Sequence, residues 1–371
     1  MILSDTLLIG KINKASTRRG VIKSKDSIDE RDVGLTYRWK EAPALGETIE
    51  VIPGVYWIRM PLPFALDHIN LWVLDDGDGW VLVDTGFNSI DTKNLWVELF
   101  NGVFRRYRPK KLVCTHHHPD HMGLADWLIN NFNIPMWTTQ KEWDAFHRWG
   151  GLDRDSLHSL MQNFYRCSGV SIERQQKDYE QRLFQWRRKH VISESLNVLK
   201  ADDSIIANSK EWTVTIGEGH APELAALYNA EDKVLISGDQ VLPRISPNVS
   251  VLPFNLDANP LREFLDSLVR FKELPRNTLV LPSHKLPFTG LHARIDFLIA
   301  HHQERLLASE VACEHGASAA EVNTVLFPRA LDDQQYFFAL SETLAHLNFL
   351  WKAGVISRIE SESGSYIYTK T

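Results

Sequence analysis

The chain has 371 residues, of which 44% are hydrophobic and 24% are charged, the proportions of an ordinary globular protein. A net charge of −6 argues against general nucleic-acid binding. The sequence contains no run of eighteen apolar residues, so a membrane partner is not predicted. Three cysteines far apart and outside CxxC spacing exclude a disulfide framework and a thiolate zinc site, and they favour a cytoplasmic location.

The domain organisation follows from length and from changes in pattern. Residues 1–36 are polar and predict a loosely ordered arm. Because 371 residues are many for one core, we expect a large domain over residues 37–293 and a smaller one over 294–371. Within the large domain, residues 141–208 combine helical spacing with dense charge, which predicts a helical insertion over the mouth of a site.

Five short runs rich in Val, Ile and Leu each stop at an aspartate or a histidine. They are WVLVDTG (80–86), KLVCTHHH (111–118), WTVTIGEGH (212–220), KVLISGD (233–239) and TLVLPSH (278–284). Such runs are typical of buried strands. Since all five end in polar residues of catalytic type, we expect one edge of a sheet sandwich to carry a functional site.

The densest of these strand ends is CTHHHPDHMG, residues 114–123, with four histidines and an aspartate in six positions. The amphipathic segment GLADWLINNF follows it, so the cluster is expected in a strand-to-helix turn. Histidine and carboxylate side chains bind zinc, iron or manganese. His117 is expected to point away from its neighbours, and we interpret it as structural.

The cluster supplies too many ligands for one metal and too few for two. Three later strand ends complete the set, and seven ligands suit two metals that share a carboxylate. The predicted ligands are His116, His118, Asp120, His121, His220, Asp239 and His284.

Beyond residue 293 the pattern predicts three helices followed by a β-hairpin, the order of a winged-helix-like domain. Residues 294–371 hold six Lys or Arg against ten Asp or Glu. This balance makes binding to a phosphate backbone unfavourable. Packing against the large domain, or homo-oligomer formation, is therefore the expected role of this domain.

The motifs LVDTG, THHHPDHMG, GEGHAPE, SGD and LPSH, in this order, resemble the metallo-β-lactamase fold superfamily, and within it the glyoxalase II-like hydrolases. The resemblance covers residues 50–295 and implies an α/β fold, an αββα sandwich, with a winged-helix extension. It also implies the role of each ligand. One metal would be held by His116, His118 and His220, the other by Asp120, His121 and His284, with Asp239 bridging them and Asp84 bracing the histidine loop.

In such a site, two cations about 3.5–4 Å apart lower the pKa of a shared water, so that hydroxide is available near neutral pH. Asp120 is the expected catalytic residue, because it would orient the bridging hydroxide and pass its proton to the leaving group. Zinc is the first choice of metal, with iron or manganese as alternatives. Arg244 and Lys285 are candidates for binding an anionic part of a substrate.

Differences between this sequence and other branches of the superfamily reduce the number of possible activities. Class B β-lactamases lack the bridging aspartate, and processing nucleases with an inserted domain need more than the 45 positions between Asp239 and His284. The first hypothesis is a hydrolase of a small acyl substrate, a thioester or an ester. An endoribonuclease-type phosphodiesterase or a lactonase is the alternative. A binding module with a vestigial site is the third hypothesis.

Overall fold

The computed structural model describes residues 30–64, 66–175, 192, 196–207 and 209–371. Most of the predicted N-terminal arm, residues 1–29, lies outside the described residues. The last part of that arm contacts the large domain, since Thr36 exchanges backbone hydrogen bonds of 3.0 and 2.9 Å with Thr289. Chain packing therefore begins a few residues before the predicted boundary at residue 37.

Seven strands of the described ranges form one mixed sheet in chain order. They are β1 (Ile49–Ile52), β2 (Val55–Pro61), β3 (His68–Asp75), β4 (Trp80–Val83), β5 (Pro109–Val113), β6 (Met136–Thr139) and β7 (Leu196–Leu199). The first four are antiparallel, and β4 to β7 are parallel. Helix α1 (Ile90–Asn101) connects β4 to β5, and helix α2 (Ala125–Phe132) connects β5 to β6. Parallel neighbours require such crossovers.

A second sheet of six described strands has the order β13-β12-β11-β10-β9-β8. Its members are β8 (Ser204–Ala207), β9 (Lys210–Gly217), β10 (Leu224–Asn229), β11 (Val234–Gly238), β12 (Leu279–Pro282) and β13 (Phe288–Thr289). Only β11 and β12 pair in parallel, and helix α5 (Pro260–Phe271) makes the crossover between them.

The two sheets pack face to face on a core that contains Trp57, Trp72 and Trp212, each at most 1% exposed. The outer face of the first sheet packs on helices through residues such as Trp96 and Leu128. The outer face of the second sheet packs on α5 and on the C-terminal helices. These four layers confirm the predicted α/β class and the αββα sandwich.

Of the predicted helical insertion over residues 141–208, residues 176–191, 193–195 and 208 lie outside the described residues, and the described part is not helical throughout. Helices α3 (Gln140–Gly150) and α4 (Arg154–Cys167) are present, but residues 196–207 contain strands β7 and β8. These strands pair with β6 and β9 and so extend one edge of each sheet. These strands were not predicted, because their partners are distant in sequence. The charged residues that precede them also made the change from a helical to an extended pattern hard to recognise.

The C-terminal part has the predicted order of elements. Helices α6 (Leu291–Ala312), α7 (Ala319–Leu326) and α8 (Asp333–Lys352) precede a hairpin of β15 (Ile356–Glu360) and β16 (Tyr366–Lys370), to which β14 (Ala317–Ser318) adds a strand. The winged-helix name for this module stays a prediction. The predicted domain boundary at residue 294 lies inside the continuous helix α6, and the division into two domains stays a prediction.

Side-chain contacts join the C-terminal module to the rest of the chain. The Arg294 guanidinium donates to the carbonyl oxygens of Leu242 (2.6 Å) and Ile245 (2.7 Å), and the Phe164 and Phe337 rings lie 5.4 Å apart. All three cysteines are buried free thiols. No helix of the described residues is both long and apolar enough to cross a membrane.

Candidate metal centre

The five predicted strands are confirmed as β4, β5, β9, β11 and β12. The residues that follow them meet at one edge of the sandwich, as expected for strand ends in a layered α/β fold. All seven predicted ligands gather there, in groups whose ligand atoms lie within 4.8 Å of one another.

The first group consists of His116, His118 and His220. His116 Nε2 lies 2.9 Å from His118 Nδ1 and 3.3 Å from His220 Nε2. Burial, followed by the neighbouring histidines, holds the pKa of His116 and His118 well below the usual value, and burial also lowers the pKa of His220. Three neutral rings therefore direct nitrogen atoms to a common point, which is the state in which imidazole binds a metal.

The second group consists of Asp120, His121 and His284. Asp120 Oδ2 lies 3.5 Å from His284 Nε2 and 3.7 Å from His121 Nε2. Although burial opposes protonation, the surrounding carboxylates raise the pKa of His121 and His284. This half of the site therefore favours positive charge.

Asp239 lies between the two groups. Its Oδ2 is 3.6 Å from His220 Nε2 and 3.4 Å from His284 Nε2, and its Oδ1 is 3.5 Å from His121 Nε2. Burial alone would raise the pKa of Asp239, but His284 and His121 hold it well below its usual range. An ionised carboxylate thus faces histidines of both groups.

Hydrogen bonds from Nδ1 orient several of these rings so that Nε2 faces the site. His220 Nδ1 donates to Asn248 O (2.8 Å), and His284 Nδ1 donates to His68 O (2.9 Å). His121 Nδ1 donates to Asp84 Oδ2 at 2.8 Å. Such partners fix the tautomer and ring direction of metal-binding histidines.

Asp84 is 2% exposed and has a left-handed φ of 65°. Its carboxylate also accepts hydrogen bonds from Thr115 N (2.7 Å) and Thr115 Oγ1 (2.9 Å). The side chain therefore ties the end of β4 to the start of the histidine loop. This position is the one that the resemblance implies for a residue that braces the loop.

His117 does not face the cluster of ligands. Its Nδ1 lies 2.6 Å from Glu142 Oε2, which also accepts from His117 N (2.9 Å). The other oxygen of Glu142 accepts from Glu223 N at 2.6 Å. Glu142, fully buried on α3, thus holds together the loops that carry His116 and His220. Sequence reasoning missed Glu142, because a glutamate in an amphipathic helix carries no signal of such a role.

His68 lies outside the five sequence motifs, but it belongs to the site. Its ring lies 6.2 Å from that of His284, and its Nε2 accepts from Lys285 N at 3.0 Å. Its carbonyl oxygen orients His284. Burial lowers the pKa of His68 to about 4, so the ring is neutral. No sequence motif marks His68, because its contacts to His284 and Lys285 arise only from packing between β3 and the end of β12.

Two glycines allow the ligand loops to approach other backbone. A Cβ at Gly123 would collide with the Pro119 carbonyl oxygen. Gly219, with a φ of 90°, lies against Pro260 O and Phe264 at the start of α5, and a Cβ there would collide with both. Because Gly219 directly precedes His220, this contact sets where that histidine lies.

The two predicted substrate residues have different surroundings. Arg244 donates to both oxygens of Asp32, at 2.9 and 2.5 Å, and its guanidinium lies 5.5 Å from the Tyr37 ring. The backbone of Lys285 is held at a φ of 71°, with its carbonyl accepting from Asn70 Nδ2 at 2.7 Å. Their role in binding a substrate stays a prediction.

The residues fit a metal on structural grounds. His121 Nε2 and Asp239 Oδ1 are buried and have no hydrogen-bond partner among the described residues. A buried polar atom without a partner usually costs about 1–3 kcal/mol. Both atoms point into the space between the histidines, where a cation would satisfy them.

Comparison with known proteins agrees with this geometry. Residues 65–284 match the family model described as "Metallo-beta-lactamase superfamily". The chain belongs to the metallo-β-lactamase superfamily. Residues 306–371 match a second model, "Metallo-beta-lactamase-like, C-terminal domain". The C-terminal module is therefore also a recognised part of metallo-β-lactamase-like proteins.

Similar proteins cover nearly the whole chain. A β-lactamase domain protein from Burkholderia ambifaria has 37% identity and a TM-score of 0.86, with 92% of this chain and 100% of that chain covered. A metallo-β-lactamase family protein from Thermus thermophilus has 27% identity and a TM-score of 0.74, with 87% and 100% covered. The probable metallo-hydrolase YqjP of Bacillus subtilis is 25% identical over 323 residues, 85% of this chain and 97% of that protein. The chain is a metal-dependent hydrolase of this superfamily.

Proposed function

We propose that this superfamily member uses two metal ions, with zinc as the first candidate, to hydrolyse a small acyl substrate such as a thioester or an ester. The observation that carries the proposal is the position of Asp239. One oxygen of this carboxylate lies 3.6 Å from His220 Nε2 in the first group and 3.4 Å from His284 Nε2 in the second. A carboxylate between two ligand groups is the arrangement expected of a bridging ligand.

The assignment of ligands to two metals follows the two groups. His116, His118 and His220 would hold one ion, and Asp120, His121 and His284 the other. When bound, the ions would supply Lewis acidity toward a carbonyl oxygen and lower the pKa of a shared water.

The side chains of the chain supply the rest of the chemistry. Asp120 is 18% exposed at its side chain, against 10% for Asp239, so it is the carboxylate with more access to solvent and substrate. It would accept the proton of the attacking water and deliver it to the leaving group. The neutral rings of the first group keep their lone pairs for metal binding, while the Asp84 hydrogen bond keeps His121 in the required tautomer.

The choice of a small acyl substrate is supported by charge. The whole chain has a net charge of −6, and residues 294–371 carry six basic against ten acidic side chains. A path for an RNA backbone requires clustered positive charge. A compact substrate with a carbonyl group needs only the metal pair and a proton donor.

The proposal is tested by metal analysis of the purified protein, followed by assays on a panel of thioesters, esters, lactones, an RNA oligonucleotide and a β-lactam. We expect two equivalents of zinc per chain and activity on the thioesters or esters. If RNA is cleaved and no thioester or ester is hydrolysed, the acyl substrate is wrong and the substrate is a phosphodiester. Absence of bound metal would indicate a vestigial site and overturn the proposal.

A matched pair of variants links activity to the site. His118→Ala removes a proposed ligand, and we expect loss of activity with the fold intact. His315→Ala is the control, because it makes the same change at a position after α6, away from the ligand groups. Full activity in folded His118→Ala would contradict the ligand assignment.

A further inference from the structure

A second cluster of metal-binding side chains lies in the C-terminal module. His302 is on α6, and Glu342 and His346 are one turn apart on α8. Their ligand atoms lie within 4.8 Å of one another. Both histidines are fully buried. A cluster of this kind between packed helices is not explained by the hydrolytic site.

The hydrogen bonds of the cluster place a nitrogen of His302 directly opposite a nitrogen of His346. His346 Nδ1 donates to Glu342 O at 2.8 Å, which leaves a lone pair on His346 Nε2 in the neutral ring. His302 Nδ1 donates to that Nε2 at 3.2 Å, so the two nitrogens face each other across the place where an ion would bind both. The opposite nitrogen, His302 Nε2, is buried without a hydrogen-bond partner among the described residues. This nitrogen would carry the ring proton when Nδ1 binds an ion.

The charge state of the cluster also suits a cation. Burial and the neighbouring His346 hold the pKa of His302 well below its usual value, and burial lowers the pKa of His346 to about 4. Both rings are therefore neutral. Burial raises the pKa of Glu342, the acidic member, to about 7, so this side chain gains most from a cation that stabilises its ionised form. One of its oxygens accepts from Asn248 Nδ2 at 3.3 Å. Two neutral imidazoles and one carboxylate form a borderline ligand set typical of zinc.

We propose that His302, Glu342 and His346 form a separate site for a divalent metal ion of the zinc class. Three protein ligands leave a fourth position for water, as in open zinc sites. The ion would join α6 to α8 and take the place of the hydrogen bond between His302 Nδ1 and His346 Nε2. The proposal does not depend on the number of metals in the hydrolytic site.

The site is connected to the hydrolytic centre through one residue. Asn248 donates from its side chain to Glu342, and its carbonyl oxygen accepts from His220 Nδ1 at 2.8 Å. A metal that fixes Glu342 would therefore also fix the loop that orients His220. This link gives the C-terminal module a physical role in the geometry of the first ligand group.

The experiment compares metal content in the full-length protein. Wild type, His302→Gln and the control His301→Gln are purified from zinc-supplemented medium, desalted, and measured by mass spectrometry of the metal. His301 is the neighbouring residue on α6. Its ring stacks on Phe297 and contacts the edge of the His302 ring, but it offers no ligand atom to the cluster. We expect His302→Gln to contain one zinc per chain fewer than wild type, and His301→Gln to match wild type.

Two further variants test the ligand assignment independently. Glu342→Gln keeps an oxygen that can accept from Asn248, so it removes a ligand with little change in packing, and it should also lose one equivalent. The same loss is expected when His302→Gln is made in the His118→Ala background, which separates this site from the hydrolytic one. Equal zinc content in wild type and the folded His302→Gln and Glu342→Gln variants would overturn the proposal.

Discussion

Replacing Asp84 by Asn tests whether this buried side chain sets the tautomer of His121. Asp84 accepts from Thr115 N, Thr115 Oγ1 and His121 Nδ1, at 2.7, 2.9 and 2.8 Å. An asparagine has one acceptor oxygen, and the Thr115 N–H requires it. The amide NH₂ would then face His121 Nδ1, so that the ring proton would move to Nε2.

The expected magnitude follows from the position of that nitrogen. His121 Nε2 lies 3.5 Å from Asp239 Oδ1 and 3.7 Å from Asp120 Oδ2, so a proton there would occupy the place of a metal. Changes to partners of ligand histidines typically reduce metal affinity or activity about 10- to 100-fold. This corresponds to about 1.4–2.7 kcal/mol of binding free energy.

The assay is a zinc titration in competition with a chromophoric chelator, together with kcat on the best substrate. Asp232→Asn is the control, because Asp232 pairs with Lys210 (2.6 Å) in the turn between β10 and β11, on the opposite end of these strands from the site. We expect Asp84→Asn to weaken binding of one zinc and the control to leave it unchanged. Unaltered zinc affinity in folded Asp84→Asn would refute the tautomer argument.

Four further predictions test other parts of the molecule. Asp120→Asn should lower kcat about 10²- to 10⁴-fold, the usual contribution of a general acid–base, and kinetics with parallel metal analysis will measure it. Gly219→Ala should destabilise the fold by more than about 1 kcal/mol in urea denaturation and reduce metal content, since its Cβ would strike Pro260 O. Ser318→Ala should cost about 1 kcal/mol by the same assay, because it removes the cap of α7. Ser318 lowers the pKa of Glu321, so this stabilisation is present above the unfolded pKa of about 4.3 and lost below it. Glu321→Gln should therefore make the urea midpoint less dependent on pH between about pH 5 and 3. A pH dependence equal to that of wild type would contradict the role of Glu321 in the cap.

Much of the hydrolytic site could be predicted from local patterns. Each ligand histidine or aspartate follows a short apolar run, and strands β4, β5, β9, β11 and β12 formed where those runs lie. A strand end places its next residues at the sheet edge, so the local pattern also located the site. The strands at residues 196–207 could not be predicted from the local pattern, because they depend on distant partners for their hydrogen bonds.

The residues that hold the ligands in place could not be predicted in the same way. His68 and Asn248 act through backbone carbonyl oxygens, which every residue has, and Glu142 acts from within a helix. Because any residue type can supply a backbone acceptor, such a role cannot be recognised from the type of side chain. Their function arises only when the chain packs.

The sequence by itself determined the fold class, the edge that carries the site and the seven candidate ligands, because strand pattern and ligand chemistry are local properties. Tertiary structure decided that Asp239 lies between the two histidine groups and that His302 meets Glu342 and His346. His302 and Glu342 are 40 positions apart, and each lies in a helix whose pattern is typical of ordinary packing. Only the packing of α6 against α8 brings their side chains together, since the contact depends on the relative position and rotation of two helices.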